Sequence, residues 1–151
     1  ILNLTFEEAK PLFANHRKIH LALTLACEIG LGYLTLGQAS PTLSGGESQR
    51  IKLVSELSLN KKGHTIYILD EPTTGLHKRD VSKLLKILYQ LVNKGNSVVV
   101  IEHDEDVIIN SDHVIEIGPG AGDAGGKMIF EGSPDGLIAS KTPWGSILKA
   151  A

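Results

Sequence analysis

Two adjacent carboxylates follow an apolar run near the middle of the chain. In YILDEPTTGLH, residues 67–77, this run leads into Asp70 and Glu71, and Pro72 ends it. A strand predicted over residues 65–69 places both carboxylates at the carboxyl end of a sheet, where open α/β folds bind ligands. Because neighbouring strand residues point in opposite directions, the two side chains can have different roles. In phosphoryl transfer, Asp70 would hold Mg²⁺ through water and Glu71 would orient or deprotonate the attacking water.

A structural role is an equally ordinary interpretation of the acid pair alone, because such pairs also cap the following helix or pair with lysines. The choice between the two interpretations therefore depends on the other motifs in the chain.

A serine and two glycines precede a predicted helix in LSGGESQR, residues 43–50. Free N–H groups at a helix start, together with the helix dipole, form a site for anions. Gly45 and Gly46 would let a phosphate approach the backbone closely, and Ser44 would add a hydroxyl donor. The sequence therefore offers a phosphate site at this helix start.

The same segment also fits a plain helix cap. Ser44 and Glu47 have the S-x-x-E spacing of a capping box, and for that spacing alone the cap is the more common arrangement. We predict the helix from about residue 46 to 57, with Gln49 and Arg50 in its first turn.

A histidine follows a second apolar strand, SVVVIEH, residues 97–103. This run of β-branched residues is typical of a strand buried on both faces. His103, just past it, could reach the terminal phosphate of a nucleotide, although a lone histidine at such a position more often lies at the surface or caps a helix. The combination of helix start, acid pair and histidine, in that order, carries the phosphate-handling hypothesis.

The elements that must position these residues follow from periodicity and capping. Thr5 and Glu8 have capping-box spacing, and residues 30–38 are too rich in glycine for a helix. The remaining predicted elements are helices at 17–28, 81–92 and 104–109 and strands at 113–118 and 127–132. Alternation of strands and helices predicts an α/β fold with a parallel central sheet, and the last two strands as its antiparallel edge.

Composition sets wider limits. The chain has 151 residues, 42% hydrophobic and 21% charged, and a net charge of −2, as expected for one globular domain without a basic face for nucleic acid. The single Cys27 can form neither an internal disulfide nor a zinc cluster, which favours a reducing setting. No apolar run approaches the ~20 residues of a membrane span. Because Ile1 is not a natural start, we expect an excised segment.

Taken together, the motifs resemble an ABC-type ATPase head, a partial RecA-like P-loop NTPase fold. LSGGESQR resembles its signature motif, YILDEP its Walker B strand, residues 74–77 its D-loop, and His103 its switch histidine. The resemblance implies ATP and Mg²⁺ as ligands, with the following roles: catalytic Glu71 and His103; nucleotide-binding Ser44, Gly45, Gly46, Gln49 and Asp70, with Asp70 also the Mg²⁺ residue through water; and D-loop Thr74, Gly75, Leu76 and His77.

Within these ATPases the chain is similar to the UvrA family, the damage-sensing subunits of the bacterial excinuclease. The similarity lies in four segments: DEPTTGLH, GLGYLTLGQASPTLSGGE, VVVIEHDEDVI and the glycine-rich IGPGAGDAGG. In the first of them, His77 stands where transporter heads usually have aspartate. The likeness runs from about residue 2 to 134, and Ser48 stands where alanine is common. It implies the C-terminal part of the second ATPase module, acting in nucleotide excision repair in the cytoplasm. The implied partners are the other module, a second UvrA subunit, UvrB and damaged double-stranded DNA.

The phosphate-cradling P-loop, G-x-x-x-x-G-K-[ST], has no match in the chain. The nearest segment, AGDAGGKM at residues 121–128, begins with Ala121, ends with Met128 and leads into a strand, so we interpret it as a hairpin turn. In the UvrA family the P-loop lies far upstream, beyond insertions that include a zinc-binding segment. We therefore expect residues 1–60 to form a helical signature subdomain and 61–151 the C-terminal part of the ATPase core.

Two classes of alternative remain, another type of ABC ATPase head and a non-catalytic interaction module. A transporter head would favour aspartate at His77, and a chromosome-maintenance head would show coiled-coil heptads, which this chain lacks. A non-catalytic interaction module with an ABC shape would not need Glu71 and His103, but it partly describes this segment, which we predict to be inactive on its own.

Overall fold

The computed structural model describes residues 1–58, 63–118, 120 and 125–150. These residues form two compact units, Ile1–Glu102 and His103–Ala151. The predicted division at residue 60 stays a prediction.

The first unit begins with two helices, α1 (Phe6–Leu12) and α2 (Arg17–Glu28). The predicted capping box at α1 is confirmed, because the Glu8 N–H donates to Thr5 Oγ1 at 3.2 Å and the Thr5 N–H donates to the Glu8 carboxylate at 2.9 Å. The predicted bounds of α2 are also confirmed. As expected, residues 30–38 contain no helix, and the Phe6 N–H bonds to the Leu34 carbonyl at 2.8 Å.

A short 3-10 turn at Ser40–Thr42 leads into α3 (Gly45–Ser58), close to the predicted helix. The core of the unit lies between α2, α3, the sheet and a later helix at Lys78–Asn93, and is continuous with the connector through Leu31 and Leu34. Its most buried apolar side chains are Ile29, Leu31, Leu84, Ile87, Leu91 and Leu53. Burial of Leu53 within this core fixes the position of α3, which carries the residues predicted to form the signature motif.

Two parallel strands complete the first unit, β1 (Ile66–Asp70) and β2 (Ser97–Ile101), joined by α4 (Lys78–Asn93). The strands are in register, with Ile68 opposite Val99 and Asp70 opposite Ile101. The apolar face of α4 is buried as its helical spacing predicts, and Gly95 follows the helix with φ +85°. The strand–helix–strand unit confirms the predicted parallel pairing.

The prediction that β2 is buried on both faces is wrong. Ile66, Ile68, Val99 and Ile101 are 50–72% exposed, whereas Leu69 is 7% exposed and Tyr67, Val98 and Val100 pack against the core. Side chains alternate between the two faces of a strand. Among the described residues, the helices of this unit cover only one face of the sheet. The other face of β1 and β2 is therefore exposed.

The second unit contains α5 (Glu105–Ile109), β3 (Val114–Ile117), β4 (Met128–Gly132), α6 (Pro134–Ala139) and α7 (Pro143–Ala150). The predicted antiparallel pairing of β3 and β4 is confirmed, but they form a two-stranded sheet of their own and not an edge of the parallel sheet. Ile108, Leu137 and Leu148 form the core, against Phe130 and Trp144.

Helices α6 and α7 are not among the predicted elements, although both begin with a signal for a helix start. Pro134 and Pro143 are the first residues of the helices, and the Ser133 hydroxyl accepts from the Gly136 N–H at 3.2 Å. Each helix also contains a glycine and is short, which hides its apolar periodicity.

Part of the segment interpreted as a hairpin turn, residues 121–124, lies outside the described residues. The described residues 125–127 are not helical, and the Gly118 N–H donates to the Lys127 carbonyl at 2.9 Å before β4 begins.

In the described part of the chain, no helix is long and apolar enough to cross a membrane.

Candidate functional site

The acid pair lies where β1 ends. Asp70 is the last residue of the strand, and the Glu71 N–H still donates to the Ile101 carbonyl at 2.9 Å. Glu71 itself has φ +44° and is the one non-glycine residue with positive φ among those described. Strand alternation therefore does not set the direction of its side chain, and the prediction that both residues are extended is wrong for Glu71.

The backbone after Glu71 folds into two successive turns, which we call the post-strand loop (residues 71–76). The Thr74 N–H donates to the Glu71 carbonyl at 3.1 Å, and the Leu76 N–H donates to the Thr73 carbonyl at 2.8 Å. Gly75 has φ +76°, which only glycine adopts readily. His77, the N-cap residue of α4, follows the loop, so the predicted D-loop residues join the acid pair to this helix.

The start of α3 forms the capping box that its spacing allows. The Glu47 N–H donates to Ser44 Oγ at 3.2 Å, and the Ser44 N–H donates to the Glu47 carboxylate at 2.6 Å. The Tyr33 hydroxyl also donates to Glu47. This bond, followed by the bonds from Ser44, lowers the pKa of the Glu47 carboxyl. The cap leaves Ser44 and Gly45 exposed at the helix start.

Polar side chains of α3 bond the backbone at the end of β1. Gln49 Nε2 donates to the Asp70 carbonyl at 2.7 Å, and Arg50 Nη1 donates to the Pro72 carbonyl at 3.0 Å and the Thr74 carbonyl at 3.2 Å. Both donors lie in the second turn of α3, not in the first as predicted, because the helix begins at Gly45.

Arg50 is the residue that sequence reasoning missed. Its side chain is 1% exposed, and this burial lowers the pKa of the guanidinium. Its position one helical turn before the buried Leu53 and Val54 is compatible with burial, but an arginine that reaches solvent from the same face has the same spacing. Nothing in the sequence tells such an arginine from an exposed one.

Gly46 allows α3 and the post-strand loop to come this close. A Cβ atom on Gly46 would lie 2.7 Å from the Thr74 carbonyl oxygen and 3.0 Å from Arg50 Nη1, whereas one on Gly45 would meet nothing within 4 Å. The first unit thus brings together the start of α3, the acid pair and the residues predicted to form the D-loop.

His103 is exposed and is the first residue of the second unit. It precedes Asp104, the N-cap of α5, whose carboxylate accepts from the Asp106 N–H at 3.0 Å and the Val107 N–H at 3.3 Å. The role of His103 as a switch histidine stays a prediction.

The acid pair fits a magnesium ion held mainly by substrate. Mg²⁺ keeps several waters and needs one or two carboxylates together with phosphates, and Asp70 presents an exposed carboxylate at the strand end. Within the described ranges, no group of three or more histidine, cysteine, aspartate or glutamate residues is arranged to hold a metal without such a substrate.

The similar proteins of known sequence and the more similar of two solved structures belong to one family. No family model matches the chain. The UvrABC system protein A of Thermus thermophilus is 53% identical over 148 residues, 98% of this chain, and that of Helicobacter pylori is 55% identical over 134 residues, 89% of this chain. The chain spans 16% and 14% of these two relatives.

Two solved structures are also similar. The crystal structure of UvrA2 from Deinococcus radiodurans matches 99% of this chain and 19% of its own, with a TM-score of 0.90 and 47% identity. A bacterial Atm1-family ABC exporter with ATP bound matches 99% of this chain and 26% of its own, with a TM-score of 0.58 and 21% identity, which concerns the fold alone. The chain therefore belongs to the UvrA family as a segment of it, with part of an ABC-type ATPase fold.

Proposed function

We propose that this segment is part of the second ATP-hydrolysing module of a DNA-damage recognition protein in nucleotide excision repair. Below, the parent protein means a full-length UvrA-family protein that carries these 151 residues. One observation carries the proposal: hydrogen bonds from Gln49 and Arg50 hold the signature helix against the backbone that carries Asp70 and Glu71. These bonds fix the backbone on both sides of Glu71, which is what a positioned reacting carboxylate needs.

The proposed roles follow from position and chemistry. Bound Mg²⁺ would neutralise charge on the phosphates of ATP. Asp70, at the end of β1, would orient water around the ion. Glu71, turned out of the strand by its backbone, would hold or accept a proton from the attacking water. His103 would contact the terminal phosphate.

The signature helix would act on a different nucleotide. Ser44, Gly45 and Gly46 present a helix start, which favours phosphate, and ABC heads pair head to tail. We therefore assign these residues to ATP held by the other module of the parent, with Gln49 close by. Thr74, Gly75, Leu76 and His77 would lie between the two nucleotides as the D-loop.

The wider function belongs to the parent. We propose that it works in the cytoplasm as a homodimer with UvrB on damaged double-stranded DNA, and that zinc binds only outside this segment. The names of the relatives, UvrABC system protein A, support this assignment. On its own the segment would be inactive, since its sequence contains no P-loop.

Replacement of Glu71 tests the proposed function. In the parent, Glu71→Gln should leave ATP binding nearly intact and slow hydrolysis at this module by ~10²–10⁴-fold, the usual cost of losing a positioned base. Glu28→Gln, an exposed glutamate on α2, is the matched control. Wild-type turnover at this module in Glu71→Gln would show that Glu71 is not the base.

A further inference from the structure

Three alternate carbonyl groups, beginning with that of the last residue of β1, accept hydrogen bonds from one helix. The carbonyl oxygens of Asp70, Pro72 and Thr74 all accept hydrogen bonds from α3, the first from Gln49 at 2.7 Å and the others from Arg50 at 3.0 and 3.2 Å. The helix therefore contacts the backbone on both sides of Glu71.

The N–H groups between these carbonyls bond in the other direction, to the end of β2. Glu71 donates to the Ile101 carbonyl at 2.9 Å, and Thr73 donates to Glu102 Oε1 at 2.8 Å. The backbone around Glu71 is thus held from two sides. Such support is what keeps a non-glycine residue at φ +44°.

Arg50 is the charged member of this arrangement. It is 1% exposed, and its Nε has no hydrogen-bond partner among the described residues. Glu47 and Asp80 attract its charge, but among the described residues no carboxylate lies within ion-pair distance of the guanidinium, whose direct partners are two carbonyl oxygens. Burial of an arginine in this way is costly, and a leucine or methionine would suffice if the helix needed only packing.

The start of α3 also contacts the post-strand loop directly, at Gly46. A Cβ there would lie 2.7 Å from the Thr74 carbonyl oxygen that Arg50 also binds. A shift of the α3 start would therefore displace the Thr74 carbonyl in two ways, through the contact with Gly46 and through the hydrogen bond from Arg50.

We propose that Arg50 is a positioning residue that couples the start of α3 to the placement of Glu71. This inference rests on the proposed function, in which Ser44–Gly46 contact one ATP and Glu71 acts on another. Arg50 then transmits the position of the helix start at the first nucleotide to the carboxylate at the second. Arg50 touches neither nucleotide.

The test uses Arg50→Met and Arg50→Lys in the parent, with the exposed Arg17→Met as control. Arg50→Met should lower kcat by about 10²-fold with ATP affinity unchanged, because a small misplacement of a reacting group costs about that factor. Arg50→Lys, which keeps the charge but not the planar fork, should recover part of kcat. If Arg50→Met does not fold, Arg50→Lys alone must still lower kcat without lowering affinity.

Hydrogen exchange distinguishes positioning from general packing. In Arg50→Met, the amides of Thr74 and Leu76, which close the two turns of the post-strand loop, should exchange faster while those of α4 stay protected. Equal acceleration throughout residues 1–102, or a parallel loss of ATP affinity and kcat, would overturn the inference. If kcat is unchanged in Arg50→Met but falls in Glu71→Gln, the positioning role of Arg50 is wrong and the proposed function stands. If turnover is unchanged in Glu71→Gln, the proposed function itself is wrong.

Discussion

Single residues at the end of β1 differ in backbone conformation as well as in charge. Asp70 is extended, whereas Glu71 has φ +44°. A left-handed conformation at a non-glycine residue costs on the order of 1–3 kcal/mol and persists where surrounding contacts hold it. The proposed division of labour between the two carboxylates therefore comes from the turn that begins at Glu71, and not from strand alternation.

Asp70→Asn should separate metal binding from base catalysis. In the parent we expect it to weaken Mg²⁺-dependent binding of ATP at this module, because it removes a charge facing the metal, and to leave metal-free binding unchanged. Nucleotide titrations with and without Mg²⁺ measure this. The same binding defect in Asp70→Asn and Glu71→Gln would contradict the division of labour.

His103→Ala should resemble Glu71→Gln more than Asp70→Asn, since its proposed partner is the terminal phosphate. We expect slower turnover with Mg²⁺-dependent binding retained, measured in the same titrations and a steady-state ATPase assay. His113, exposed in the second unit, offers a histidine control as His113→Ala. A loss of Mg²⁺-dependent binding in His103→Ala would place this residue with Asp70 instead.

Tyr33→Phe should change the acidity of Glu47. The Tyr33 hydroxyl is the main cause of the lowered pKa of Glu47, so its removal should raise this pKa toward the usual glutamate value. A lowered pKa in the folded state stabilises the protein above the pKa of the unfolded state, and this stabilisation is lost as pH falls through the folded pKa. Titration by NMR measures the shift, and an unchanged Glu47 pKa would show that the Tyr33 bond does not matter.

At the level of elements, the start of α3 combines a steric limit with an open position. Gly46 faces the Thr74 carbonyl at a distance that a Cβ cannot adopt, whereas Gly45 has open space around it. Gly46→Ala should therefore destabilise the 151-residue chain by about 1–3 kcal/mol, the range for overpacking. Gly45→Ala, the matched control, should be neutral or stabilising by up to ~1 kcal/mol through helix propensity. Urea unfolding compares them, and equal stability of both variants would contradict the close contact.

Gly45→Asp tests the phosphate site without this steric limit. A carboxylate at the helix start should repel the terminal phosphate and slow hydrolysis at the nucleotide that the signature serves, while Gly45→Asn serves as the uncharged control. Disabling each P-loop lysine of the parent in turn shows which site is affected. If Gly45→Asp stops turnover only at the site containing Asp70, the cross-module arrangement is wrong and Ser44 is merely a helix cap. Gly46→Asp would mix this charge effect with the clash.

Elements with local signals could be predicted from the sequence, and those that depend on other layers could not. The bounds of α2 follow from its apolar spacing and Gly30, and the α1 cap follows from Thr5 and Glu8. The exposed face of β2 could not be predicted, because a β-branched run does not tell which faces are covered. The turn at Glu71 and the burial of Arg50 depend on contacts between α3 and the loop, which no local pattern encodes.

At the scale of the chain, one face of the parallel sheet is exposed. Ile66, Ile68, Val99 and Ile101 present an apolar surface in a chain that spans 14–16% of its curated relatives. Isolated apolar patches of this kind on a chain favour association.

The 151-residue chain alone should not hydrolyse ATP. The backbone cradle and lysine of a P-loop supply much of the phosphate binding in these enzymes, and the chain has no such motif, so Asp70 and Glu71 would have no ATP held beside them. A steady-state assay with Mg-ATP should give the same background rate for the wild-type chain and for Glu71→Gln, and the parent at the same concentration provides the positive control. Turnover by the isolated chain that disappears in Glu71→Gln would mean that its own residues hold the phosphates, and that the cradle must be sought within residues 1–151.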